Sequence, residues 1–174
     1  MKTQALKTIL ALALFVGVVQ AQPSGLPKEV AAKFYRTCHK LKIEGLPSDK
    51  QLNLLAPFLS QDLRRLFQIA KSKQAKYIKG HPGDKPPWIE GDLFSSMFEG
   101  SHGYRVGTPI IRDKRAAVPI RLFYREGKDI TRWTDTLVMM LTDKGWVVSD
   151  LLYKATWEFK TGNSLRGVLK AEVE

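Results

Sequence analysis

The spacing of apolar side chains changes twice along this chain, and each change marks a new part of the molecule. Behind Lys2 and Lys7, Ile9 to Val19 is an unbroken apolar run, closed by Val19-Gln20-Ala21, the small-x-small pattern at which signal peptidases cut. The run is shorter than the ~20 residues a membrane span needs. Residues 1–21 are therefore expected to be a removed secretory signal, and 22–26 a short flexible leader.

From Pro27 the period becomes helical. Val30, Phe34, Cys38 and Leu41 share one face of a helix that starts at Pro27 and ends near Leu41, before Gly45-Leu46-Pro47. Ser48 and Gln51 stand at capping-box spacing for a second helix carrying Leu52, Leu55 and Phe58. Ser60 caps a third, with Leu63, Leu66, Phe67 and Ala70 as its stripe, fading before Gly80. His81-Pro82-Gly83-Asp84-Lys85-Pro86-Pro87 then forbids regular structure. Trp88 and Ile89 close this long connection and are expected to tuck onto the body.

Beyond Gly91 the period falls to two. Strands are predicted over Tyr104 to Arg112, Ala116 to Arg125, Ile130 to Thr142 and Trp146 to Trp157, with turn signals at Asp113-Lys114, Glu126-Gly127 and Asp143-Lys144-Gly145. A short helix from about Ser164 to Ala171 ends the chain. The expected fold is one α+β domain over 27–174, with N-terminal helices packed on a strongly curved antiparallel meander of four or more strands and a conical pocket between them.

The turns also set a register. A three-residue turn over 143–145 pairs Thr142 with Trp146, Leu137 with Leu151 and Asp135 with Tyr153. A two-residue Glu126-Gly127 turn pairs Arg125 with Lys128, Ile120 with Trp133 and Val118 with Asp135. Both place Val118, Ile120, Leu122, Trp133, Leu137, Met139, Leu141, Leu151 and Tyr153 on the face that the helices cover. Asp135 falls in the middle of that face, where a carboxylate must find donors or take a proton. Tyr153, Trp133 and Arg36 are its candidate partners. Asp150 falls on the other face, solvated or bonded to a turn.

Charge and cysteine usage narrow the classes. The formal charge is +11, and loss of the leader removes only Lys2 and Lys7 from it. Such a surface draws anionic partners. Basic residues gather around the third helix, from Arg64 and Arg65 through Lys71, Lys73, Lys76 and Lys79. A second group, Arg121, Arg125, Lys128 and Arg132, shares the outer sheet face beside Phe123 and Ile130, with Arg121 expected opposite Arg132. Cys38 is the sole cysteine, so no internal disulfide forms and a buried apolar role is expected. Gln22, where a lipoprotein would carry cysteine, leaves no lipid anchor in this reading. His39, His81 and His102 lack metal-site spacing, Cys38 and His39 point apart on a helix, and no phosphate loop or nucleophile elbow is present. No cofactor or metal is implied.

Gly91-Asp92-Leu93-Phe94-Ser95-Ser96, Trp133-Thr134-Asp135-Thr136-Leu137-Val138 and Gly145-Trp146-Val147-Val148-Ser149-Asp150-Leu151-Leu152-Tyr153, in that order behind the helices, resemble an uncharacterised family of secreted bacterial domains in the nuclear-transport-factor-two-like (cystatin-like cone) superfamily. The resemblance implies a bent sheet wrapped around the first helix. Some members of the superfamily are isomerases or dehydratases that use pocket carboxylates and a tyrosine; many others bind ligands or proteins. The first expectation is thus an exported, periplasmic or extracellular binding or accessory module, with a pocket around Tyr35, Trp88, Trp133, Asp135 and Tyr153 for a small apolar or envelope-derived ligand. The second is an enzyme with Asp135 as base and Tyr153 as hydrogen-bond donor. The third is a module that binds an anionic polymer or protein through Arg121, Arg125, Lys128 and Arg132.

Overall fold

Residues 25–157 and 162–171 are described by a computed structural model. The expected leader at 1–21 lies outside the described residues. Helices α1 (Pro27–Leu41), α2 (Asp49–Leu55), α3 (Gln61–Gly80) and α4 (Leu165–Lys170) pack on a curled, open antiparallel sheet of β1 (Gly103–Val106), β2 (Ile110–Arg112), β3 (Arg115–Glu126), β4 (Asp129–Thr142) and β5 (Gly145–Leu152). The order is β1-β3-β4-β5, with β2 also on β3. The expected α+β class and helix-then-meander order are what the chain adopts.

Local chemistry explains the helix ends. Pro27 occupies the first turn of α1, Ser48 and Gln51 form the full capping box of α2, and the Ser60 hydroxyl accepts from Leu63 N at the start of α3. A 3₁₀ turn at Ala56–Phe58 separates α2 from α3. Instead of fading early, α3 reaches Gly80, where His81 N donates to Tyr77 O.

The first expected strand divides into β1 and β2, and proline is the reason. Pro119 lies mid-way along β3, offers no amide donor, and accepts only from Gly107 N on that side; Pro109 cannot donate either. The ladder therefore lapses over 107–109. The last strand ends at Leu152 instead of Trp157.

Two turns differ from expectation in instructive ways. The β3–β4 turn is Gly127-Lys128, pairing Glu126 with Asp129, because Gly127 takes φ 55 at the first central position, as a type II′ turn requires. Every pair moves by two residues: Ile120 faces Asp135, Leu122 faces Trp133 and Val118 faces Leu137. A shift of two leaves the faces unchanged. At β4–β5 the turn is Asp143-Lys144, pairing Thr142 with Gly145 and Leu141 with Trp146; a bulge at Val138/Met139 then restores Leu137 opposite Leu151. Of the nine expected inner-face residues, only Leu141, beside this turn, is exposed.

The expected conical pocket is filled. Val118, Ile120, Leu137 and Met139 meet Phe34, Leu63 and Phe67 from the helices, each fully buried and worth ~1.5–3 kcal/mol. Phe94, from the connection before β1, lies 5.7 Å from Phe34 and 6.1 Å from Phe67 and completes the packing. Trp88 is half-buried against the core as expected, whereas Ile89 is exposed. Trp88 O accepts from Leu46 N and Gly91 O from Gly45 N, so the proline-rich connection is stitched to the α1–α2 turn. Gly45 sits at φ 64 with the Trp88 carbonyl 2.2 Å from where a Cβ would lie, a place only glycine fills.

Candidate functional site

Four of the five expected pocket residues converge, but on a segment of the chain instead of an opening. Asp135 Oδ2 accepts from Ser96 N at 2.8 Å and from Trp133 Nε1 at 3.2 Å; Oδ1 accepts from the Ser96 hydroxyl and from Lys154 N at 2.9 Å. Tyr153 donates its hydroxyl to Leu93 O at 2.7 Å, not to Asp135, and Tyr35 donates to Phe94 O at 3.2 Å. Together these side chains grip Leu93 to Ser96, a buried segment that acts as a plug between the helices and the sheet. Trp88 stands apart from the group, and Arg36 makes no bond to Asp135.

This geometry corrects the expected pocket. Asp135 has no exposed surface, and each of its oxygens already accepts two hydrogen bonds. A general base needs a free lone pair within reach of substrate. Burial also pushes the Tyr153 and Tyr35 hydroxyls well above the ordinary tyrosine range, so both remain donors to main-chain carbonyls. The group closes the fold.

An open cavity of about 720 Å³ lies beside the plug, between the C-terminal half of α1 and residues 90–102. Tyr35, Cys38, Ile43, Phe94 and Phe98 give it apolar walls, and of the expected pocket residues Tyr35 alone lines it. Asp92 Oδ1 accepts from Phe94 N at 2.6 Å, while Oδ2 receives no hydrogen bond from the described residues. Desolvation raises this carboxyl to about 6, with a smaller push from Asp135 that the Phe94 bond opposes. The Cys38 thiol is raised well above its ordinary value by burial, then by Asp92, and is an inert wall.

His39 and Ser101 share a 3.2 Å hydrogen bond in the same cavity, and the imidazole lies 4.9 Å from the Tyr104 ring. Burial lowers the His39 pKa, so the ring is neutral at pH 7. The pair has the composition of a nucleophile and its base. However, Asp92, Glu44, Glu90 and Glu99 line the same space and oppose the negative charge that an acyl-transfer transition state develops. Sequence reading missed this cavity because its parts come from separated segments. The one local signal was Gly91-Asp92 before Leu93-Phe94, an Asx-type turn pattern.

No protein-family model matches the chain, and no curated protein matches it. Among solved structures, a chain in the crystal structure of the type VI native effector-immunity complex Tae3-Tai3 from Ralstonia pickettii is similar at 16% identity and a TM-score of 0.40. The match covers 81% of this chain and 100% of that one. A likeness of that extent carries no functional inference.

The outer sheet face holds the second concentration of chemistry. Gly103, Phe123 and Arg132 form one outward row, and Arg105, Arg121 and Thr134 the next. A groove of about 450 Å³ runs between them, with no acidic side chain in its lining. Arg121 therefore opposes Arg105, a pairing of like charges, and not Arg132 as expected. The Phe123 ring occupies space that a side chain at Gly103 would fill. Arg125 stands opposite Ile130, and Lys128 belongs to the turn instead of the face. Further along, the same face turns apolar at Ile110, Ala117 and Val138, and ends where exposed Met140 stands opposite Arg115, itself opposite Arg112. Asp150 Oδ1 accepts from Leu151 N and from Arg166 N of α4, which makes it a structural tie. Among the described residues no group of three or more potential ligands could hold a metal ion, and no helix is long and apolar enough to cross a membrane.

Proposed function

We propose that this chain is an exported binding module, of the nuclear-transport-factor-two-like kind, that recognises an acidic protein through the outer face of its sheet. The observation that carries the reading is the composition of that face: Arg105, Arg121 and Arg132 around a groove, Phe123 between them, and an apolar extension to Ile110 and Met140. Arginine, aromatic and methionine side chains are the types enriched where proteins meet proteins. Arg105 opposite Arg121 costs stability in the free chain, and an acidic partner reverses the sign of that term. A binding role for the filled centre of the cone has no comparable support, because Asp135 and both tyrosines are spent on the plug. Export is supported by the charged start, apolar run and cleavage pattern of 1–21.

A photoreactive group in place of Phe123, in protein exported by the cells that encode it, tests the reading. A discrete protein adduct is expected, lost with Arg121→Glu and absent when the group replaces Ile69 on α3. Combined Arg121→Glu and Arg132→Glu should weaken the isolated complex roughly ten-fold or more. No adduct at position 123, or equal adducts from both positions, overturns the proposal. Salt-sensitive retention on heparin that both arginines govern, with no protein adduct, assigns the face to a polymer instead.

A further inference from the structure

Three cavities among the described residues do not share one charge. The sheet-face groove is lined by arginines, and the shallow one on α3 by Arg65, Lys73 and Lys76, as a strongly basic chain would lead one to expect. The cavity between α1 and residues 90–102 is the exception: it presents four carboxyl groups, Asp92, Glu44, Glu90 and Glu99, against one lysine, Lys42. Lys85 pairs with Glu90, which leaves Glu44 and Glu99 at the rim and Asp92 at the back. The volume of about 720 Å³ is within the range of small-molecule sites.

We propose that this cavity binds a small organic cation, an ammonium or guanidinium group carried on an apolar body. Asp92 lines the cavity, and its Oδ2 takes no hydrogen bond from the described residues; a Cβ at Gly100 would come within 2.9 Å of that oxygen, so glycine there keeps it clear, and it is the acceptor placed for the charged head. The rings of Tyr35, Phe94 and Phe98 line the same walls, and aromatic faces attract a desolvated cation as well as an apolar body. Neutral His39, hydrogen-bonded to Ser101, adds a polar edge without adding positive charge. Size, apolar walls and sign of charge therefore agree on one ligand class. Anions are excluded by the same carboxylates. The inference does not depend on the partner assigned to the sheet face.

The test compares phenethylammonium, its neutral isostere 2-phenylethanol and phenylacetate on the full chain at neutral pH and low salt, followed by isothermal titration and by amide shifts in NMR spectra. The ammonium compound should bind at least about ten-fold more tightly than the alcohol, and the acid should not bind. Shifts should centre on 38–44 and 90–102. Asp92→Asn should weaken the cation about ten-fold, and Glu44→Gln with Glu99→Gln, both exposed and safe for folding, should weaken it by a smaller factor. Arg121→Glu should leave the affinity unchanged. Equal affinity for cation and alcohol, shifts centred elsewhere, or no binding of the cation overturns the proposal.

Discussion

Asp135 and Asp92 are two acids on either side of one short segment, and they live in opposite circumstances. Asp135 has no exposed surface, yet both oxygens are saturated by donors from three parts of the chain. Asp92 lines a cavity, yet holds only one donor and is left with a raised pKa. Hydrogen-bond supply, and not depth alone, separates the carboxyl that closes the fold from the one available to a ligand. Cavity volume alone would have ranked neither correctly as an acid.

The largest effect should come from Asp135→Ala. Removing an acceptor that serves two amides, a hydroxyl and an indole leaves buried donors unpaired and should cost about 3–5 kcal/mol in urea unfolding. Equal stability to the parent would erase the contrast between the two acids. Ser96→Ala removes the hydroxyl but keeps the amide bond to Asp135, so a loss of about 1–2 kcal/mol is expected by the same measurement.

Asp92→Asn should act in the other direction. The folded chain holds this proton up to about pH 6, whereas the unfolded chain releases it near 3.8. The contribution of Asp92 to stability is therefore fully present below about pH 3.8 and is lost as pH rises to about 6. Asparagine keeps an acceptor for Phe94 N without the charge. The variant should be roughly 1–2 kcal/mol more stable than the parent at pH 7, after allowance for partial exposure, with the difference vanishing below pH 4. A thermal-melt series from pH 4 to pH 7 reads this directly; a parallel pH profile for both proteins would remove Asp92 from its place in the contrast.

Much of the scaffold was legible in the residues. Ser48 with Gln51 marked a helix start, Pro27 another, and the alternation around Val118, Leu137 and Met139 marked the buried face. That face survived an error in turn placement at Gly127, because pairs that slip by two keep their side. What stayed hidden was aperiodic. Leu93 to Ser96 belongs to no helix or strand, and its partners Tyr35, Asp135 and Tyr153 come from distant positions. Pairing rules put Tyr153 near Asp135, but nothing in the sequence said that a loop would enter between helix and sheet and take up both their hydrogen bonds.

The plug also has a consequence in time. Its bonds join residues 39, 59 and 60 positions apart, linking α1, β4 and the segment after β5 through one loop. Such bonds must meet a loop-closure cost before they form, and bonds to an aperiodic loop are expected late in folding. Weakening them should therefore hasten unfolding far more than it slows folding. Leu93 to Ser96 would act as a latch on how long the native state lasts.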